Sequence, residues 1–146
     1  MVDKIKDECI VFDFDGTIAD YSKREFLRDK DWDAYIAASF TDTPSKPVLE
    51  IINRFKDSYN IVILSARSEK SRAETLEWLT KYDIHHDALI LKPDSATEED
   101  CDIKSSLIQL IPEIYGKVFF CIDDRSSCVK SFRGLGLYTF QCGEGY

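Results

Sequence analysis

The sequence predicts an α/β fold of three layers, a parallel sheet with helices on both faces. Three observations predict it. Four short runs, Cys9–Phe14, Ile61–Leu64, Ala88–Leu91 and Val118–Ile122, are apolar nearly throughout, as strands buried on both faces must be. The stretches between them carry apolar residues at helical spacing, so strand and helix alternate along the chain. Each of the four runs also ends in polar residues, and parallel strands bring such ends to one edge of a sheet.

Residues 9–14 read as a buried strand running into Asp13-Phe14-Asp15-Gly16-Thr17, where Gly16 permits a sharp turn. Alternate residues of a strand share a face, so Asp13 and Asp15 are expected to point the same way. Residues 19–28 are rich in base and read as helical or irregular. Trp32, Tyr35, Ile36 and Phe40 recur at roughly helical spacing and are expected to form a packing face, with Asp31 or Asp33 near its start. Residues 41–47 are a turn, and Pro47 can occupy the first turn of a helix striped by Val48, Ile51, Ile52 and Phe55. After the strand at 61–64 a helix is expected over about 68–82. The strand at 88–91 leads into an acidic stretch, then a helix from Ile103 to Ile111 that carries Lys104 and is limited by Pro112. The strand at 118–122 is followed by a helix over about 126–133, a last strand at 137–140 and a tail. The whole of residues 1–146 is expected to form one domain.

Composition narrows the function. A chain of 146 residues with 44% hydrophobic and 32% charged content can bury a real core. Its net charge of −8 argues against a general nucleic-acid coat, whose affinity comes from surplus Lys and Arg, and suits a protein that recruits a divalent cation. The five cysteines, Cys9, Cys101, Cys121, Cys128 and Cys142, are odd in number and include no Cys-x-x-Cys pair, so neither a zinc site nor a disulfide framework is expected. Cys9 and Cys121 fall in strand runs and read as core residues. No apolar run has signal-peptide or membrane-span length, so a reducing, cytoplasmic location without a membrane partner is expected.

The strand ends carry the chemistry. Asp13 with Asp15, Ser65 with Arg67, then Lys92, then Asp123 with Asp124 and Arg125 would converge on one cleft. Carboxylates from the first and fourth endings make a hard oxygen site suited to Mg²⁺. One acid beside a cation can attack phosphorus, and a second can protonate the leaving oxygen and then activate water. A hydroxyl and a lysine or arginine can hold oxygens over which charge spreads.

In that order, Asp13-x-Asp15-Gly16-Thr17, Ser65, Lys104 and Asp123-Asp124 resemble the four motifs of the haloacid dehalogenase-like (HAD) phosphatases. The resemblance implies a three-layer Rossmann-like (HAD-like) parallel sheet with helices on both faces. Residues 20–46 leave room for a small helical flap and no large cap domain. Phe12–Ala19, Ile63–Arg67, Ile122–Arg125 and the Phe-Arg-x-Leu-Gly-Leu ending are similar to the phosphatase domain of phage polynucleotide kinase-phosphatases, which removes 3′-phosphates from nucleic-acid ends and nucleotides. The resemblance implies Asp13 as nucleophile and Asp15 as general acid/base. It implies Mg²⁺ held by Asp13, the main-chain carbonyl of Asp15 and Asp124 or Asp123. Ser65 and Lys104 would hold the phosphoryl oxygens. Arg24, Arg67 and Thr17 would meet substrate, Asp100 would position Lys104, and Arg125 would bond Asp123 or cap a loop. Asp13 would be ionised and Asp15 would carry the proton. Ala66 replaces the usual glycine of the second motif, and no Gly-x-x-x-x-Gly-Lys-Ser/Thr loop is present, so the kinase half is absent from this chain.

The activity expected is Mg²⁺-dependent phosphomonoester hydrolysis on nucleotides or nucleic-acid 3′-ends. The alternatives are a free 5′-nucleotidase or small-metabolite phosphatase, and a phospho-receiver that does not turn over. A small flap leaves an open cleft, suited to a nucleotide or a nucleic-acid terminus, and Trp32 and Tyr35 could stack on a base.

Overall fold

The computed structural model describes residues 6–144. The elements are β1 (Glu8–Phe12), β2 (Ala19–Asp20), α1 (Trp32–Ala37), β3 (Thr43–Pro44), α2 (Lys46–Phe55), β4 (Asn60–Ser68), α3 (Arg72–Lys81), β5 (Ala88–Lys92), α4 (Asp100–Ile108), α5 (Ile111–Tyr115), β6 (Lys117–Asp123), α6 (Ser126–Gly134) and β7 (Thr139–Gln141). Five strands form one sheet in the order β5-β4-β1-β6-β7, every pair parallel. The chain therefore starts in the middle, winds one way through β4 and β5, and returns through β6 to β7. The first and fourth strand endings thus become neighbours.

The alternation of each central strand decides which side its residues serve. Ile10, Phe12, Ile61 and Ile63 pack on one face with Val48 and Ile52 of α2 and Trp78 and Leu79 of α3. Cys9, Val11, Val62 and Leu64 pack on the other with Ile108, Ile111 and Phe132 of the helices α4, α5 and α6. Each large apolar side chain among them is worth about 1.5–3 kcal/mol when fully buried. This two-sided burial is why the strand runs are continuously apolar.

Several boundaries differ from the sequence reading. β1 stops at Phe12, although Asp13 N–H still reaches the Ile122 carbonyl at 2.9 Å. β4 runs on through Ser65 and Arg67, with a break in its register against β5, and a short 3-10 turn precedes α3. Pro112 opens α5 rather than merely ending α4, because its missing N–H costs nothing in a first turn. The aromatic flap residues do not form the expected packing face. Only Tyr35 is buried, while Trp32, Ile36 and Phe40 are exposed, because a six-residue helix presents too short a stripe to cover all four. Trp32 instead stacks on Tyr35, ring centroids 5.2 Å apart. Asp31 caps α1, accepting from Ala34 N–H.

The cysteine reading is also corrected. Cys101 of α4 and Cys128 of α6 form a disulfide, their Cα atoms 4.9 Å apart, leaving Cys9, Cys121 and Cys142 free. The pairing is invisible in spacing because it depends on two helices lying side by side on one face of the sheet. Cys9 and Cys121 are buried as expected, and burial pushes both thiols up to about 12.

The bridge closes a sequence separation of 27, for which loop entropy supplies about 3.5 kcal/mol. After oxidation with glutathione disulfide, alkylation in denaturant is expected to modify three of the five cysteines, and dithiothreitol is expected to lower Tm. Alkylation of all five in the unreduced protein would overturn the pairing.

Candidate active site

The carboxyl ends of β1, β4 and β6 meet α4 at one edge of the sheet, and the acids gather there. Asp13, Asp123 and Asp124 each bring a carboxylate oxygen to within 4.8 Å of the others. Lys104, on the first turns of α4 and 3% exposed, donates to Asp13 Oδ1 at 2.9 Å and to Asp123 Oδ2. The loop after β1 is tight: Gly16 N–H bonds the Ala19 carbonyl, and Thr17 Oγ1 turns back to donate to Asp13 Oδ2 at 3.1 Å. Gly16 has φ +83, open to glycine at no steric cost, and a Cβ there would lie 2.2 Å from Asp124 Oδ2.

Asp15 does not share these partners. Arg67 grips it with two parallel bonds, Nε to Oδ2 and Nη2 to Oδ1, both 2.8 Å. Arg24 Nη2 adds a third at 2.8 Å. Arg67 is held in turn by Thr75 Oγ1 and lies over the Phe14 ring at 4.4 Å. Arg24 is buried rather than facing an open cleft. Its Nε and Nη2 bond the two oxygens of Asp42, at 2.9 and 2.8 Å, its Nη1 meets the Tyr35 carbonyl, and the Tyr35 ring centroid lies 4.2 Å from Cζ.

Protonation follows from these surroundings. Burial outweighs Lys104 at Asp13 and raises its carboxyl to about 7, with Asp124 adding to the rise. Burial likewise lifts Asp123 to about 6, with Asp13 adding to it. Burial opposes ionisation of Asp15 too, but Arg67 and Arg24 together hold it below the usual carboxylate range. At Lys104 burial is overcome by Asp13 and Asp123, which raise it. Among these protein groups alone Asp13 is thus the more readily protonated acid and Asp15 the ionised one, whereas the ionised Asp13 expected from the sequence is one bound to a cation.

The remaining residues sort as follows. Ser65 is buried at the end of the apolar part of β4, where its Oγ accepts from Arg67 N–H at 3.1 Å. Arg125 reaches Asp123 through its main-chain N–H at 2.9 Å, while its guanidinium bonds Asp100 at 3.3 Å. Asp100 bonds Lys92 and Arg125, whereas Lys104, one turn further along α4, bonds Asp13 and Asp123, so the acid expected to position Lys104 is paired elsewhere. Sequence reasoning missed Asp42, placed in what reads as an ordinary turn, and Tyr21, whose phenol donates to Asp124 Oδ2 at 3.0 Å. The one available signal was Arg24: if buried, it demands an acid.

A divalent cation fits this donor set. Among the described residues, Asp13, Asp15, Asp42, Asp123 and Asp124 gather around Lys104, Arg24 and Arg67, so five carboxylates meet three cations and two negative charges are left over. The raised carboxyls of Asp13 and Asp123 express the same excess.

The family profile described as the phosphatase domain of polynucleotide kinase PNKP matches residues 7–146. Two solved structures of Pnkp1/Rnl/Hen1 assemblies are similar. One is 29% identical over 99% of this chain with TM-score 0.80, the other 27% identical over 98% with TM-score 0.80. This chain spans 48% and 44% of those chains, about half their length. A haloacid dehalogenase-like hydrolase from Streptococcus pneumoniae shares the fold at 13% identity and TM-score 0.67, covering 97% of this chain and 86% of its own. No curated protein sequence matches.

The Arg24–Asp42 pair is buried on both sides, and removing Asp42 leaves Arg24 with Asp15 as its remaining acid. Asp42→Ala is expected to lower stability by about 1.5–3 kcal/mol, the range for hydrogen bonds to charged groups, read from the urea midpoint. A shift under about 0.5 kcal/mol, the range of ordinary surface substitutions, would show that the pair does not hold the flap.

Proposed function

The chain belongs to the family of polynucleotide kinase PNKP phosphatase domains and is a phosphatase of the haloacid dehalogenase-like class; on that premise we propose that it hydrolyses phosphate monoesters at nucleic-acid 3′-ends or on nucleotides, through a phosphorylated Asp13 and with Mg²⁺. The observation that carries the reading is the convergence of Asp13, Asp123 and Asp124 beside buried Lys104, with Asp15 held separately by two arginines.

Asp13, Asp124 and the main-chain carbonyl of Asp15 would hold the cation, with Asp123 beside them. Mg²⁺ would supply charge neutralisation for the acids and the incoming phosphate. With the cation bound, Asp13 would be held in its ionised form. Asp13 then attacks phosphorus as the bond to the leaving oxygen breaks, and Asp15 delivers a proton to that oxygen. In the second half Asp15 takes a proton from water, which attacks the phosphorus and releases Asp13. Lys104 and Ser65 neutralise and orient the phosphoryl oxygens.

Asp15 must therefore gain a proton that its arginines discourage. Arg67 is the partner that can shift toward the phosphate, since its side chain is 16% exposed, whereas Arg24 is anchored by Asp42. As Arg67 turns to substrate, the grip on Asp15 loosens and its carboxyl rises toward a donor's range. The polynucleotide preference rests on family membership and on the similarity to a chain of the Pnkp1/Rnl/Hen1 RNA repair complex. The excess of acid, net −8, favours the free-nucleotide alternative.

With Mg²⁺, the protein is expected to hydrolyse an aryl phosphate. Asp13→Asn should abolish turnover, and Asp15→Asn should lower it about a hundred-fold or more. Undiminished turnover in EDTA, or full activity after the Asp13→Asn substitution, would defeat the mechanism. A 3′-phosphorylated oligonucleotide is expected to outcompete 3′- and 5′-mononucleotides. If it is ignored, polymer ends are not the substrate.

A further inference from the structure

Tyr21 links the flap to the acid cluster. It follows β2, whose antiparallel partner β3 closes the base of the flap. Its phenol crosses 103 residues of sequence to donate to Asp124 Oδ2 at 3.0 Å. The contact is built in: a Cβ on Gly16 would stand 2.3 Å from Tyr21 Cε1 and 2.2 Å from Asp124 Oδ2, so ring, carboxylate and main-chain turn are packed together. Asp124 is 5% exposed. An open cavity of about 500 Å³, lined among others by Thr17, Tyr21, Asp124 and Cys142, lies directly beside this bond.

We propose that Tyr21 is a positioning residue for the cation. By occupying Oδ2 it sets the plane of the Asp124 carboxylate, so that Oδ1 is presented alongside the oxygens of Asp13 and Asp123. This rests on the reading of Asp124 as a cation ligand. Outer partners of this kind fix ligand orientation and are commonly worth about 10–100-fold in metal affinity. Because Tyr21 belongs to the flap, the coupling is reciprocal: cation binding steadies the flap, and a seated flap tightens the cation. Nothing in the chemistry of the phosphoryl step uses the phenol.

The test is binding of Mn²⁺ without substrate, free ion being read by electron paramagnetic resonance, on the wild type, Tyr21→Phe and Asp124→Asn. Tyr21→Phe keeps the ring and removes only the hydroxyl. It is expected to weaken Mn²⁺ binding about ten-fold, to lose turnover at limiting Mg²⁺ and to regain it at saturating Mg²⁺. Cation protection of the flap against proteolysis should weaken in step. If Asp124→Asn weakens binding and Tyr21→Phe leaves it within about two-fold, well short of the effect of an outer partner, the positioning role is wrong and the ligand reading stands. If neither substitution matters, or the wild type binds no Mn²⁺, the ligand reading fails and the proposal with it. A turnover defect in Tyr21→Phe that saturating Mg²⁺ does not repair would also overturn it.

Discussion

The arrangement depends on a charge imbalance held at the edge of the sheet. Five carboxylates are gathered against three cations, most of them out of water. Each buried ion pair is at best a modest source of stability, since desolvation consumes much of the attraction. An excess of acid in such a place is a cost, met in part by the raised carboxyls of Asp13 and Asp123 and otherwise by apolar packing elsewhere. The isoleucines and phenylalanines of β1, β4 and β6 supply that packing. The imbalance is therefore an argument about function: a fold does not retain it for stability, and a divalent cation of charge two matches it.

Lys104 and the Arg24–Asp42 pair divide the task of holding the acids in place. Lys104 reaches in from α4 and keeps Asp13 and Asp123 from repelling each other. Arg24 and Asp42 do the equivalent for the flap. The pair ties the two ends of the flap together, and Trp78 Nε1–H donates to the Asp42 carbonyl at 3.0 Å, so the flap's inner wall is fastened to α3. Of the flap's charged residues Arg24 and Asp42 are the buried ones, while Trp32, Ile36 and Phe40 stay outside. The flap's interior is thus held by an ion pair beside Tyr35 rather than by the aromatic face that spacing suggests.

The central sheet and its polar tips are legible in the sequence because burial on both faces forces continuous apolar runs, and the motif residues sit where those runs end. Asp13, Asp123, Asp124 and Lys104 come together as their order along the chain implies. What is not legible depends on which element lies beside which. The Cys101–Cys128 bond, the pairing of Asp100 with Lys92 and Arg125, the bond from Tyr21 to Asp124 and the burial of Arg24 all arise from neighbours that spacing does not reveal. Arg24, expected from the sequence to meet substrate, is buried, and Asp42 together with Asp15 makes that burial tolerable.

The two acids that end the first strand show why sequence order does not assign their protonation. Strand alternation predicts a shared face, yet β1 stops at Phe12 and the two carboxylates acquire separate partners. Asp13 meets one ammonium, one hydroxyl and two further acids, so burial prevails and its carboxyl rises. Asp15 meets two guanidinium groups, so charge prevails and its carboxyl falls. The proposed nucleophile wants the second condition and the proposed general acid the first. Both inversions would be removed by the cation and substrate proposed for the site. A cation beside Asp13 would restore its charge, and a phosphate dianion drawing Arg67 away would restore a proton affinity to Asp15. Substrate and metal together would then set the protonation states that the reaction consumes, so that readiness for chemistry is a matter of electrostatics rather than of shape.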